Sequence, residues 1–110
     1  MNDPRESDWK KFRAMLPVWR ERYLAERNRR IAAALEDAKK TETERFWETE
    51  KLVGKEARIL QRCLDDIRRS RMWERLAEMR AAGMIRREDL VEFSEELQHQ
   101  VFYEFPEPKG

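Results

Sequence analysis

The sequence predicts an all-α protein: an antiparallel hairpin of two long helices with shorter helices around it, bundle-like and completed by dimerisation. Three observations lead there. Charged residues make up 43% of the chain, yet four Trp, five Phe and two Tyr remain for burial, which suits long amphipathic helices and not disorder. Proline is confined to positions 4, 17, 106 and 108, so almost no turn chemistry lies between residues 18 and 82, where a β or α/β fold would need it. Apolar residues also recur at spacings of three and four over long stretches. At 110 residues the chain is one domain. Its expected parts are an N-terminal helix over 3–16, the long hairpin over 17–69, a C-terminal helical hairpin over 70–103 and a tail over 104–110.

The first helix starts at DPRE, where Asp3 can cap, Pro4 suits the first helical position and Glu6 lies three residues after the cap, with Ser7 as a competing cap. Phe12, Leu16, Trp19 and Tyr23 share one helical stripe. Pro17 interrupts it, disfavouring helical geometry at Leu16 and removing a donor, so a kink or a fresh helix start is expected there. From Pro17 to about Lys39 the pattern continues through Leu24, Ile31 and Leu35, and Asn28 occupies the intervening position, where an Asn can fix register or oligomeric state.

Thr41 and Glu44 form a capping box, with Thr43 as the alternative cap, for a helix reaching to about Arg69. This helix carries two adjacent apolar stripes: Phe46, Val53, Ala57, Leu60, Leu64 and Ile67 on an a/d spacing, and Leu52, Ile59 and Cys63 beside them. A face that wide exceeds what one neighbouring helix covers, so the helix is expected to be central. Gly54 inside it costs about 1 kcal/mol relative to Ala and points to a kink or a closely packed helix.

Ser70 is the expected cap of a third helix carrying Met72, Trp73, Leu76 and Met79, which stops at Gly83 ahead of the apolar pair Met84 and Ile85, as a Schellman ending prefers. In the fourth helix Glu88 and Asp89 suit the positive end, and Leu90, Phe93, Leu97 and Val101 form the buried stripe. Phe102, Tyr103 and Phe105 either fold back or wait for a partner.

Catalytic and metal chemistry find little support. The spacing of Glu96 and His99 fits a carboxylate-bridged metal helix, but a two-metal centre needs two Glu-x-x-His units, and the chain has one histidine. Glu92 and Glu95, like Glu104 and Glu107, lack the Glu-x-x-Asp partner of an all-carboxylate Mg²⁺ site. Read as an EF-hand, EMRAAGMIRREDL puts Arg80 and Ala82 at ligand positions, and neither coordinates calcium. Ser7, Ser70, Ser94 and Cys63 are scattered, and no glycine-rich phosphate loop exists. No cofactor, no metal and no enzyme activity are expected. Lone Cys63 fits a reducing compartment and no apolar run is long enough to span a bilayer, so a cytoplasmic location without a membrane partner is the expectation.

The net charge of +1 hides a gradient: +4 over residues 1–40, −2 over 41–67, +5 over 68–87 and −6 over 88–110. The function expected is a small non-catalytic protein-interaction or regulatory module, a homodimer or bound to a heterologous protein. Its candidate interaction residues are Trp19, Tyr23, Phe46, Trp47, Trp73, Phe102 and Tyr103, with Trp9 a further anchor. The alternative is a nucleic-acid-associated accessory protein using Arg29, Arg30, Arg68, Arg69 and Arg71, disfavoured because acids interleave with the arginines. A metal-dependent enzyme ranks third.

Overall fold

The computed structural model describes residues 3–104, the last two through their backbone alone. All regular structure among them is helical: α1 (Glu6–Leu35), α2 (Glu42–Leu64), α3 (Met72–Ala81) and α4 (Glu95–His99), with 3₁₀ turns at Arg69–Arg71 and Arg87–Leu90 and a π-helical turn at Gln100–Glu104. The 30 residues of α1 span about 45 Å at 1.5 Å per residue. That length accounts for most of the 52 Å long dimension of the molecule.

Pro17 does not end a helix. The expected boundary at 16/17 is absent, and α1 runs through the proline. A proline inside a helix costs about 3 kcal/mol. Against it stands the burial of Phe12, Trp19 and Tyr23, which needs one helical phase on both sides of position 17 and contributes several kcal/mol. Pro17 and Arg13 are exposed, so the freed Arg13 carbonyl faces water. The start also moves: Arg5 is the N-cap, and Pro4 lies before the helix as a carbonyl acceptor for Arg69 Nε and Nη2 at 3.1 and 2.6 Å.

α1 ends four residues earlier than its pattern, at Leu35. Thr41 then opens α2 with both halves of the capping box, the Glu44 N–H donating to Thr41 Oγ1 at 3.1 Å and the Thr41 N–H to Glu44 Oε1 at 3.0 Å. α3 closes as expected, on Gly83 at φ +76°, with the Met84 N–H donating to the Met79 carbonyl and the Gly83 N–H to that of Arg80. Met79, Met84 and Ile85 all enter the core.

The expected fourth helix is in pieces. A 3₁₀ turn at Arg87–Leu90 gives way to a turn and bend over residues 91–93, and α4 restarts after Ser94, whose Oγ accepts from the Leu97 N–H at 3.2 Å. The cause is Asp8 of α1, only 2% exposed, which accepts from the Ser94 N–H at 3.0 Å and from its hydroxyl at 2.5 Å. A distant carboxylate thus makes Ser94 an N-cap where local sequence continues a helix. Leu90, Phe93, Leu97 and Val101 still all reach the core.

The core lies where the inner ends of α1 and α2 meet the segment after residue 65. Phe12, Trp19 and Tyr23 come from α1, Cys63 alone from α2, and the rest from Met72 to Phe102. Trp19 stacks on Phe93 with centroids 6.2 Å apart and meets the edge of Phe12 at 6.2 Å. Arg22 fastens the same junction, its two Nη atoms on the two Asp89 oxygens at 2.7 Å each and Nη2 also on the Met84 carbonyl at 2.9 Å. The Arg22 guanidinium, helped by the Arg86 N–H, holds the Asp89 carboxyl below its ordinary 3.8. A depressed carboxylate contributes stability that is complete above its unfolded value and lost as pH falls through the lowered one. Acid titration followed by tryptophan fluorescence should therefore show wild type loosening below about pH 4 by a step that Asp89→Asn lacks, starting from a lower plateau at neutral pH.

Candidate functional site

The elements after residue 65 cover one side of the α1–α2 pair and leave the other open. No residue from Leu24 to Arg62 is fully buried. On α2 it is the second stripe that packs inward: Cys63 is buried and Leu52 and Ile59 are half-buried. The a/d stripe, the stronger signal in the sequence, is instead exposed along its first half, with Phe46 at 58%, Val53 at 47% and Ala57 also open. Leu35 of α1, 52% exposed, joins Phe46, Thr49, Glu50, Val53 and Gly54 around one groove on this face. Trp47, 60% exposed, meets Phe46 edge-on at 5.0 Å on its rim.

Two details single out this groove. Thr49 Oγ1 is buried with no hydrogen-bond partner among the described residues. A Cβ built on Gly54 meets only Arg58 Nη1, at 3.6 Å, so nothing within the chain requires glycine there.

Charge is divided along the pair. Residues 36–50 hold six acidic and three basic groups, whereas residues 51–62 hold one acidic and four basic, and residues 20–30 two acidic and five basic. Thus the connecting end is net −3 and the two adjoining shafts are net +3 each. The apolar groove spans the boundary.

Of the aromatic candidates, the structure brings only Phe46 and Trp47 to the surface. Trp19, Tyr23, Trp73 and Phe102 are core residues of the single chain, so they are spent internally and are no part of an exposed surface. Trp9 is half-buried and stacks on Phe12 at 5.8 Å. Phe102 takes the Arg80 and Arg87 guanidinium groups at 4.6 and 4.9 Å from its ring centre. The side chain of Tyr103 and all of Phe105 lie outside the described residues. Tyr23 donates to Glu56 Oε2 at 2.6 Å beneath the Arg27 guanidinium, 4.5 Å over its ring, and burial with the Glu56 contact pushes its phenol up to about 12.

The arginine candidates fall into two separate groups. Arg29 and Arg30 sit far along α1, Arg30 on Glu26 at 2.8 Å. Arg68, Arg69 and Arg71 cluster near the start of α1, about 35 Å away along that helix. Each of these three meets a carboxylate: Arg68 and Arg71 on Asp66 at 2.7 and 3.5 Å, Arg69 on Glu6 at 2.6 Å, and Arg71 also on Glu74 at 2.8 Å.

No group of three or more His, Cys, Asp or Glu side chains able to hold a metal occurs among the described residues. Glu96, three residues before His99, is engaged by Arg5 at 3.3 Å. Burial raises the Cys63 thiol to about 11, with the Glu78 charge adding to the effect. Cys63 should therefore resist thiol reagents at neutral pH in the folded protein and react at the rate of a free thiol in denaturant, which a colorimetric titration reads directly.

Sequence reasoning missed Asp8, Arg22 and Leu35 as working residues. Asp8 and Arg22 carried no local signal, since their partners lie 86 and 67 residues away. Leu35 was visible as part of the α1 stripe, but not as half of a groove. The chain matches no family model, no curated protein and no solved structure.

Proposed function

We propose that this chain is a small non-catalytic protein-interaction or regulatory module that binds another protein chain through the uncovered face of α1 and α2. The observation that carries the reading is the contiguous exposure of Leu35, Phe46 and Val53 around one groove, flanked by Trp47. Clustered large apolar residues on a chain this rich in charge mark an interface, whereas scattered ones would mean nothing. The arrangement in view is the antiparallel long-helix hairpin completed to a bundle from outside, by a second copy or by a heterologous protein. The nucleic-acid alternative draws on arginines that stand apart and are largely paired with carboxylates, and phosphate binding needs clustered free cations.

The test is a Phe46→Asp, Val53→Asp variant. Both positions are exposed, so helicity and the tryptophan signal of the core should be retained. Self-association or capture of a partner protein should be lost, and the wild-type interaction should persist in high salt, as apolar contacts do. Binding that survives both substitutions sinks the proposal. Steep salt sensitivity, removed by Arg68→Glu with Arg69→Glu, would favour nucleic acid instead.

A further inference from the structure

We infer that the occupant of this face is a second copy of the chain, lying antiparallel across it so that Glu48 and Glu50 of each α2 lie toward Arg58 and Arg62 of the other, with Gly54 at the crossing. The inference rests on the apolar face being an interface, as proposed above, and names its partner.

Charge gives the orientation. Two copies laid with like ends together would put net −3 against net −3 and the basic shafts against each other. Turned end for end about a two-fold axis near Gly54, residues 46–50 of each α2, with Glu48 and Glu50, lie along residues 58–62 of the other, with Arg58 and Arg62, and the complementarity is satisfied twice.

Gly54 gives the register. Glu50 and Arg58 stand four residues before and four after it, so one helical turn away on each side, and both are exposed with no ion pair among the described residues. An axis passing near Gly54 brings Glu50 of each copy beside Arg58 of the other. The glycine itself costs helix stability of about 1 kcal/mol, and a Cβ there would meet only Arg58 Nη1, at an ordinary contact distance of 3.6 Å. Close approach of a second helix at that point supplies the reason for it.

The apolar pattern agrees with an antiparallel helix partner. Phe46 and Val53 stand seven residues apart, the spacing of a helix seam, while Ala57 keeps the stripe shallow beyond them. About the same axis Phe46 of one copy falls beside Gln61 and Arg62 of the other, and Val53 comes near Ala57. Two helices from each copy then make a four-helix arrangement in which Leu35 and Phe46 are covered.

Light scattering over a dilution series is the readout, with circular dichroism on every variant to establish that it folds. Wild type should have twice the monomer mass and dissociate on dilution. Glu50→Arg and Arg58→Glu should each weaken association about tenfold, since each places two like-charge pairs in the interface. Mixing the two variants should restore it, because Arg at 50 then faces Glu at 58 and the native Glu50 faces the native Arg58. Gly54→Leu, whose Cβ meets only Arg58 Nη1 within the chain, should give a folded monomer.

A wild-type monomer at every concentration overturns the inference. So does a dimer indifferent to Glu50→Arg, Arg58→Glu and Gly54→Leu. If such a monomer still binds a different protein in a manner abolished by Phe46→Asp with Val53→Asp, the interface reading stands and only the identity of the partner has failed. A dimer that ignores those two aspartates as well overturns both.

Discussion

Trp19→Ala should cost about 4 kcal/mol of folding stability, a large share of the roughly 5–15 kcal/mol available to a domain of this kind. Trp19 is fully buried between Phe12 and Phe93, so it joins α1 to the chain that returns from α3. Removing the indole deletes its own burial and leaves a cavity whose walls belong to two different segments, which cannot close on it together. Trp19→Phe should cost about half as much, because a ring remains and the indole Nε1 has no hydrogen-bond partner among the described residues to lose. Urea unfolding of the two variants measures the difference. A cost below about 1 kcal/mol for the alanine would contradict a central place for this residue.

Asp8→Ala should cost about 3 kcal/mol, although it removes a single small side chain, because a buried carboxylate that accepts two hydrogen bonds is lost at once. The Ser94 N–H and hydroxyl would be left without the acceptor that makes Ser94 the start of α4. The loss should be local. Hydrogen exchange should speed up over residues 94–104 and stay slow through the inner turns of α1, where Phe12 and Trp19 keep their contacts. Asp8→Ala and Ser94→Ala together should cost less than the sum of the two, since each already breaks the same contact. By comparison, exposed pairs such as Arg20 with Glu21 should be worth little when removed.

Both variants act at contacts between residues far apart in the chain, and that distance divides what could be read from what could not. The capping box at Thr41 and Glu44 and the glycine ending at Gly83 were legible because every atom involved lies within five residues. The buried stripes were legible for the same reason. Phe12, Trp19 and Tyr23, and again Leu90, Phe93, Leu97 and Val101, declare a shared face by spacing alone, even where the second set is not one helix. Spacing also showed that α2 has two apolar stripes.

It did not show which stripe would be covered. The a/d stripe from Phe46 to Ile67 is the more regular, yet the chain after residue 65 folds onto the Cys63 side and leaves the first half of that stripe, Phe46, Val53 and Ala57, open. The candidate site is thus made of residues the sequence displayed, in a role it did not disclose. The aromatic candidates divided the same way, Trp19 and Trp73 going to the core and Phe46 and Trp47 to the surface, although all four sit in helices.

By itself the sequence determined that this protein is helical, that Thr41 opens one helix and Gly83 closes another, and which residues share a helical face, because those are consequences of backbone geometry acting over one turn. Only the tertiary structure decided that α1 continues through Pro17, that Ser94 opens a new helix and that one face of α2 stays bare. In each case a contact between separate elements, across more than 50 residues for the first two, outweighed the local preference, and periodicity carries no information about which distant segment will supply it.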